Sequence, residues 1–349
     1  MTQTYLDHAA SAPVLPEARE AMLAAVAMDA NPSSPHARGR RAKRALEEAR
    51  EMVAASLGWG GEVIFTSGAS EALMIALTRS HAARRIVSVV EHEAVMRHVP
   101  GARSLPVGAD GLLDPHGIGD VENALVAVQQ VNNETGVMQP LGQIADAVRK
   151  GGGVLLADCA QGAGKIAMPD CDMAAISGHK FGAPAGVGAL LLRDLSLIAP
   201  SGGQERGYRG GTENLPGAMA MAAALKTGHG CMTEALRLRA VLEDAIIDAG
   251  GEVVAAASPR IATIGSYRIA GLASAVQLIR LDSAGIAVSA GSACSSGSLK
   301  PSRVLTAMGM DDKAASEVIR VSIGPDTTEA DIARFLEVWA PMAAQARQG

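Results

Sequence analysis

The hydrophobic pattern opens with a short extended segment at 5–10, stopped by Pro13 and Pro16. Over 17–28, Ala18, Met22 and Val26 recur every fourth residue, the spacing of one helix face. Prolines and serines at 31–36 mark a loop. The clearest helical pattern spans 40–57, with Ala42, Leu46, Ala49, Val53 and Leu57 on one side, charges on the other and Gly58 as its stop. Beyond it, apolar runs and amphipathic stretches alternate. Strands are predicted at 63–66, 86–90, 125–131, 154–157, 174–177 and 187–192, with helices between several of them, including 70–78 and 141–149. This alternation is the signature of a mostly parallel sheet covered by helices on both faces. A glycine-rich loop at 201–211 leads into a helical region at 215–249. A second alternation follows, with strands at 252–256, 261–266, 286–289 and 317–323 and helices at 274–281 and 329–346. The predicted class is α/β, with a large domain at 13–228 and a smaller α+β domain formed by 1–12 together with 229–349.

In such a sheet, ligands sit beyond the C-terminal ends of the strands. Five polar clusters fall at those ends: Ser67-Gly68-Ala69-Ser70, Glu91-His92, Asn132-Asn133-Glu134, Asp158 to Gln161, and Ser177 to Lys180. Their recurrence at equivalent positions points to a site rather than to surface decoration.

Composition narrows the class. The 349 residues are 48% hydrophobic and 19% charged, enough for a large domain with ample core plus a smaller one. Aromatics are scarce at 2%, so the core is expected to consist of Ala, Val, Leu, Ile and Met. A net charge of −5 argues against a nucleic-acid partner held by bulk electrostatics. No apolar run approaches the length of a membrane span, and the first residues do not read as a signal peptide. Of the four cysteines, Cys159, Cys171, Cys231 and Cys294, none forms a C-x-x-C pair, so neither a zinc site nor a disulfide framework is expected. The expected compartment is the reducing cytoplasm.

Lys180 is the residue around which the polar clusters make sense. It lies in Ser177-Gly178-His179-Lys180, just after an apolar run. A lysine at the end of a buried strand can lose its proton to desolvation and become a nucleophilic amine, as a Schiff base with an aldehyde cofactor requires. A surface lysine in a turn is the plainer alternative. Ser67-Gly68-Ala69-Ser70-Glu71, between a strand and a helix, suits a phosphate at exposed helix amides; an ordinary N-cap has the same composition. Asp158 ends the apolar run 154–157. A buried carboxylate there needs a cation, and a protonated pyridine nitrogen is one, although a helix cap is the bland reading. His92 can stack on a ring and move protons, or serve as a satisfied structural histidine. Asn133 can bond a ring hydroxyl or form a turn, and His179 can hold a phosphate or be a loop residue. Arg320, alternating into a strand between Ile319 and Val321, fits a substrate carboxylate; a salt bridge with an acidic residue is the alternative. Cys294 sits in Gly291-Ser292-Ala293-Cys294-Ser295-Ser296-Gly297, too small and polar to pack tightly. It is read as a mobile loop whose thiol can attack sulfur, against an inert cysteine in a serine-rich turn. Cys159 and Cys171 adjoin strands and are expected to fill core.

The order of these pieces resembles the cysteine desulfurases, pyridoxal-phosphate enzymes of the class V aminotransferase group with the fold type I architecture. The matching motifs are T-S-G-A-S-E at 66–71, E-H at 91–92, V-N-N-E-T-G-V at 131–137, D-C-A-Q-G at 158–162, S-G-H-K at 177–180, R-G-G-T-E-N at 209–214 and G-S-A-C-S-S-G at 291–297. Each is weak alone; in this order they are highly specific, and the resemblance runs from Tyr5 to Gly324. It implies a seven-stranded, mostly parallel sheet and pyridoxal 5′-phosphate carried on Lys180. It also implies that Asp158 pairs with the pyridinium, that Gln161 and Asn133 contact the ring oxygen, and that His92 stacks on the ring. The phosphate falls to Ala69, Ser70, Ser177 and His179, with Thr212 reaching it from the second subunit of a homodimer. Asn31 resembles part of the substrate loop.

The activity implied is conversion of L-cysteine to L-alanine, with Lys180, His92 and Cys294 catalytic and the sulfur held as a persulfide on Cys294. An acceptor protein, unidentified, would then receive it, for iron–sulfur clusters, tRNA thiolation or another pathway. Selenocysteine lyases and other class V aminotransferases are the near alternatives, for which Cys294 would be dispensable. A cofactor-bound sulfur carrier or scaffold is an alternative of another class. Two departures stand out. His8 replaces the asparagine usual after the aspartate, and the chain ends soon after its last helix, where housekeeping members extend a tail to scaffold partners.

Overall fold

Strands that must be buried on both faces read as unbroken apolar runs, and the central sheet is made of such runs. The computed structural model describes residues 3–228, 230, 232–291 and 301–347. Its seven-stranded sheet has the order Glu62–Thr66, Gly188–Leu192, Met173–Ser177, Val154–Asp158, Ala124–Gln129, Arg84–Ser88, Arg103–Leu105. Gly188–Leu192 runs antiparallel to both of its neighbours and the remaining pairs are parallel. Side chains alternate between two cores. Val63, Phe65, Val126 and Val128 face the helices Ala37–Leu57, Leu141–Lys150 and Leu215–Thr227, whereas Ile64, Leu125 and Ala127 face Ala69–Arg79. The predicted strands are thus all present, and the missed one is Arg103–Leu105, a three-residue edge strand too short to show a pattern.

The helix Ala37–Leu57 buries Ala42, Leu46, Ala49 and Val53, as the spacing predicts. It ends at Gly58, whose φ of 63° is the left-handed cap conformation that glycine adopts without cost. It begins three residues earlier than its apolar pattern, because the His36 ring accepts from Gly39 N–H and caps it.

The C-terminal half holds a four-stranded antiparallel sheet ordered Ser289–Ala290, Val318–Ser322, Ile264–Arg268, Glu252–Val253. The N-terminal strand Thr4–Tyr5 pairs in parallel with Ile286–Ala287, and Leu6 enters the same apolar cluster as Leu242, Ile246, Phe335 and Trp339. Four expectations change here. The region 215–249 is two helices, Leu215–Thr227 and Met232–Ala249. The strand expected at 252–256 stops at Val253, and the one expected at 261–266 is Ile264–Arg268. The run 286–289 splits into Ile286–Ala287 and Ser289–Ala290, which join different sheets.

The core is also less purely aliphatic than composition suggested. Trp339, Tyr267, Phe181 and Phe335 head the largest fully buried side chains. The few aromatics are concentrated where one large group fills space that several alanines leave. Trp339 stacks on Phe335 with ring centroids 6.1 Å apart and donates to the buried Gln277 Oε1 at 3.2 Å. Trp339→Ala is expected to destabilise the fold by about 3–5 kcal/mol, from the cavity together with an unpaired amide oxygen. Chemical unfolding measures this, and an unchanged midpoint would show that this cluster does not hold the C-terminal helix. Among the described residues, no helix is long and apolar enough to cross a membrane.

Candidate active site

The C-terminal ends of the sheet strands open onto one cavity of about 560 Å³. Gln129, Asp158 and Ser177, each the last residue of its strand, line it together with Ser67, Gly68, Ala69 and Ser70 after Glu62–Thr66. Lys180 enters from the single helical turn Gly178–Lys180 that follows Met173–Ser177. Its Nζ donates to the carbonyls of Ala9 at 2.7 Å and Ala10 at 3.0 Å, so the N-terminal segment holds the amine in place.

Asp158 is buried, and its Oδ1 accepts from Ala160 N–H at 3.0 Å. Burial pushes its carboxyl above the usual carboxylate range, against the pull of that amide and of His92 and Lys180. A cation brought beside it would restore the charged form. His92 caps the short helix Glu93–Met96 by accepting from Ala94 N–H through Nδ1 at 3.1 Å, which leaves Nε2 for the cavity. Burial lowers its pKa, and Asp158 opposes the shift. Gln161 donates through Nε2 to Ala9 O at 2.9 Å, while its Oε1 is buried with no partner among the described residues. His179 lies 3.4 Å from Ser11 Oγ through Nδ1, and burial, then Lys180 and Lys165, lower its pKa to about 4. It is therefore a neutral ring near pH 7.

The helix Ala69–Arg79 starts at Gly68 with no side-chain cap, so its first amides face the cavity unclaimed by a side chain. Glu71 sits on the flank, accepting from Ser67 N–H and from Arg209 Nε at 2.9 Å.

Arg320 lines the same cavity from Val318–Ser322, and it forms the salt bridge that was the alternative reading. Its Nη2 pairs with Asp7 Oδ1 at 2.8 Å and its Nη1 donates to Asn133 O at 2.8 Å, while Nε is buried with no partner among the described residues. Asn133 is among the lining residues as well.

Two expected residues are not brought into the cavity. Asn31 is exposed and turns its Oδ1 onto Ser33 N–H at 2.8 Å, and Thr212 is exposed on the glycine-rich loop. Their neighbours Pro32, Ser33 and Glu213 border a separate depression of about 280 Å³ with Arg50 and Glu205. Cys294 and Cys231 lie outside the described residues; Gly291, which precedes the Cys294 segment, lines the cavity. Cys159 and Cys171 are buried in the core, as expected. His8, in place of the usual asparagine, is buried edge-on to Tyr5 at 4.9 Å between ring centroids, and burial lowers its pKa to about 4. Among the described residues, no group of three or more His, Cys, Asp or Glu is arranged to hold a metal ion.

The profile of the family described as aminotransferase class-V matches residues 4–335. The chain belongs to the class-V aminotransferases. It is 35% identical to an IscS-like cysteine desulfurase of Mycobacterium tuberculosis, over 99% of this chain and 97% of that protein. It is 36% identical to a cysteine desulfurase of Cereibacter sphaeroides, with the same shares covered. Among solved structures, a NifS-like protein from Rickettsia africae superposes with a TM-score of 0.89 at 28% identity, covering 97% of this chain and 99% of that one. SspA in complex with cysteine superposes with a TM-score of 0.82 at 29% identity, covering 94% and 100%. The fold is that of the fold type I pyridoxal-phosphate enzymes, and the cofactor of this family is pyridoxal 5′-phosphate. The cavity fits that group. The Asp158 carboxyl is buried with its pKa raised, the Gln161 amide oxygen has no partner among the described residues, uncapped helix amides suit a phosphate, and a lysine amine reaches the same space.

Sequence reasoning assigned no role to several lining residues. Ala9 and Ala10 act through backbone carbonyls, which no side chain advertises. Gln129 donates through Nε2 to Val90 O at 2.7 Å and through its backbone N–H to Glu91 Oε1 at 2.8 Å, so the fully buried Glu91 braces the strand end below His92. Glu91 is pushed well above the usual carboxylate range, by burial first and by Asp158 second. The Glu91-His92 pair after a strand was the available signal.

Proposed function

We propose that the protein is an L-cysteine desulfurase that uses Cys294 as its sulfur acceptor. The observation that carries this reading is the meeting of Lys180, Asp158 and His92 in one cavity, in a chain related over its full length to cysteine desulfurases. Bound in the cavity, pyridoxal 5′-phosphate supplies an electron sink for charge leaving the substrate Cα. Asp158 would supply a negative charge for the ring nitrogen, His92 would hold the ring, and Gln161 and Asn133 would hold the ring oxygen. Ala69, Ser70, Ser177 and His179 take the phosphate. Lys180 removes the Cα proton, and Arg320, whose Nε has no partner among the described residues, orients the substrate carboxylate. The Cys294 thiolate forms an S–S bond to the substrate sulfur as the C–S bond breaks. The carbon keeps that bonding pair and gains a proton, alanine leaves, and a thiol acceptor takes the sulfur from Cys294.

Thr212 belongs to the site of a second subunit, which makes the enzyme a homodimer, and Asn31 belongs to the substrate loop. The exposure of Thr212 away from the chain's own cavity supports the dimer. The folding units are 13–228 and 1–12 with 229–349, supported by separate apolar cores. The compartment is the cytoplasm, and the sulfur passes to an acceptor protein in a pathway such as iron–sulfur cluster assembly.

Purified protein with L-cysteine, reductant and added cofactor is expected to release alanine and sulfide in equal, catalytic amounts. A cofactor-loaded protein yielding neither would overturn the reading; preference for selenocysteine would move it to a lyase. Asp158→Asn is expected to keep the cofactor and lose about 10²–10³-fold in turnover, the cost of one preorganised charge. Turnover at the parental rate would remove Asp158 from the mechanism.

A further inference from the structure

The lysine and the arginine that line the cavity are held by one short segment near the start of the chain. Asp7 Oδ1 accepts from Arg320 Nη2 at 2.8 Å, and the carbonyls of Ala9 and Ala10 accept from Lys180 Nζ at 2.7 and 3.0 Å. The second carboxylate oxygen of Asp7, Oδ2, accepts from Ser289 Oγ at 2.7 Å. Ser289 lines the cavity as well, so Asp7 is gripped from both sides at the cavity wall.

Each end of this segment is fixed to the element whose side chain it holds. Toward Arg320, Leu6 O accepts from Ser322 N–H at 2.8 Å, and Ala9 N–H donates to Ser322 Oγ at 2.9 Å. The His8 ring lies against Gly324 just beyond that strand; a Cβ there would come 2.0 Å from His8 Cε1, so only glycine fits. Toward Lys180, Ala12 N–H donates to His179 O at 2.8 Å. Tyr5 Oη closes the bend between the two ends by donating to Ser11 O at 2.8 Å. The spacing between the Lys180 amine and the Arg320 guanidinium is therefore set by the path of this backbone.

A salt bridge that served the fold alone would satisfy both of its partners. Here Asp7 and the Asn133 carbonyl engage Nη2 and Nη1, while Nε stays buried with no partner among the described residues. A buried donor without an acceptor is costly, and an arriving carboxylate relieves that cost with a charge-assisted bond. The two engaged nitrogens stop a long, rotamer-rich side chain from turning, so the planar fork is presented in one orientation.

We propose that Asp7 is a positioning residue for the substrate carboxylate: it aims the Arg320 guanidinium into the cavity at a set distance from the Lys180 amine. This rests on the assignment of Arg320 made above. The test titrates the cofactor-loaded enzyme with L-alanine and with ethylamine, which is alanine without its carboxyl group. The change in the visible band gives Kd for each, and KM and kcat for L-cysteine are measured alongside. Asp7→Ala is expected to raise Kd for L-alanine and KM for L-cysteine by about tenfold or more, with kcat changed by less than about threefold. Ethylamine should bind the variant as it binds the parent, which a general loss of structure would not allow. Asp7→Asn keeps an oxygen for Nη2 and is expected to stay within about threefold of the parent in every readout. In an Arg320→Ala background, Asp7→Ala should add nothing further. Should Asp7→Ala not fold, Ser289→Ala carries the test: it frees Oδ2, keeps the ion pair and is expected to raise Kd for L-alanine about two- to fivefold. Parental Kd for L-alanine in the folded variant, equal weakening of ethylamine, or equal damage in Asp7→Asn would each overturn the proposal while Arg320→Ala still loses L-alanine. Parental binding of L-alanine by Arg320→Ala would instead sink the assignment of Arg320, and the proposal with it. A parent that binds L-alanine but forms none from L-cysteine would sink the desulfurase reading, and the titrations would still decide the role of Asp7.

Discussion

Lys180→Ala is expected to lose the visible absorption band of the bound cofactor and to drop cysteine turnover by at least ~10²–10⁴-fold. In the proposed reaction the amine has two tasks, to hold the cofactor covalently and to move the Cα proton, and alanine can do neither. Its place is fixed from a distant part of the chain, since the acceptors of Nζ are the carbonyls of Ala9 and Ala10. Ala9 O also accepts from Gln161, so one backbone oxygen orients two side chains that line the cavity. The variant should therefore still fold, and added amines should restore part of the proton transfer. An unchanged visible spectrum would remove Lys180 from its assigned place.

Cys294→Ser is expected to bind cofactor and cysteine as the parent does and to release alanine and sulfide only at background. A serine hydroxyl stays protonated near pH 7 and is a poor nucleophile toward sulfur, whereas a thiolate is a good one. The remaining thiols do not substitute among the described residues. Cys159 and Cys171 are buried, and burial pushes their pKa values upward, with Cys171 at about 12. Steady-state alanine release and a mass shift of the Cys294 peptide after one turnover measure the effect. Full activity of the variant would turn the reading toward a selenocysteine lyase or another class-V aminotransferase.

The parts of the site legible in the sequence are those built by local rules. Asp158 and Ser177 were found because each ends an apolar run that becomes a buried strand. Ser67 to Glu71 was found because small residues stood between a strand and a helix. Arg320 shows the limit of such reasoning. Its alternation in a strand was readable, but its pairing with Asp7 spans 313 positions and leaves no local trace.

The sequence by itself determined the alternation of strands and helices, the mostly parallel sheet, the chain of motifs and the polar strand ends that gather into one cavity. Those features follow from periodicity and from the handful of residues that can end a strand or open a helix. Only the tertiary structure decided which backbone oxygens hold Lys180 and that Arg320 leans on Asp7. It also left Asn31 and Thr212 outside the cavity of their own chain. These contacts join residues far apart in the chain, and their partners are often backbone atoms that every residue carries. Nothing in local composition distinguishes them until packing brings them together.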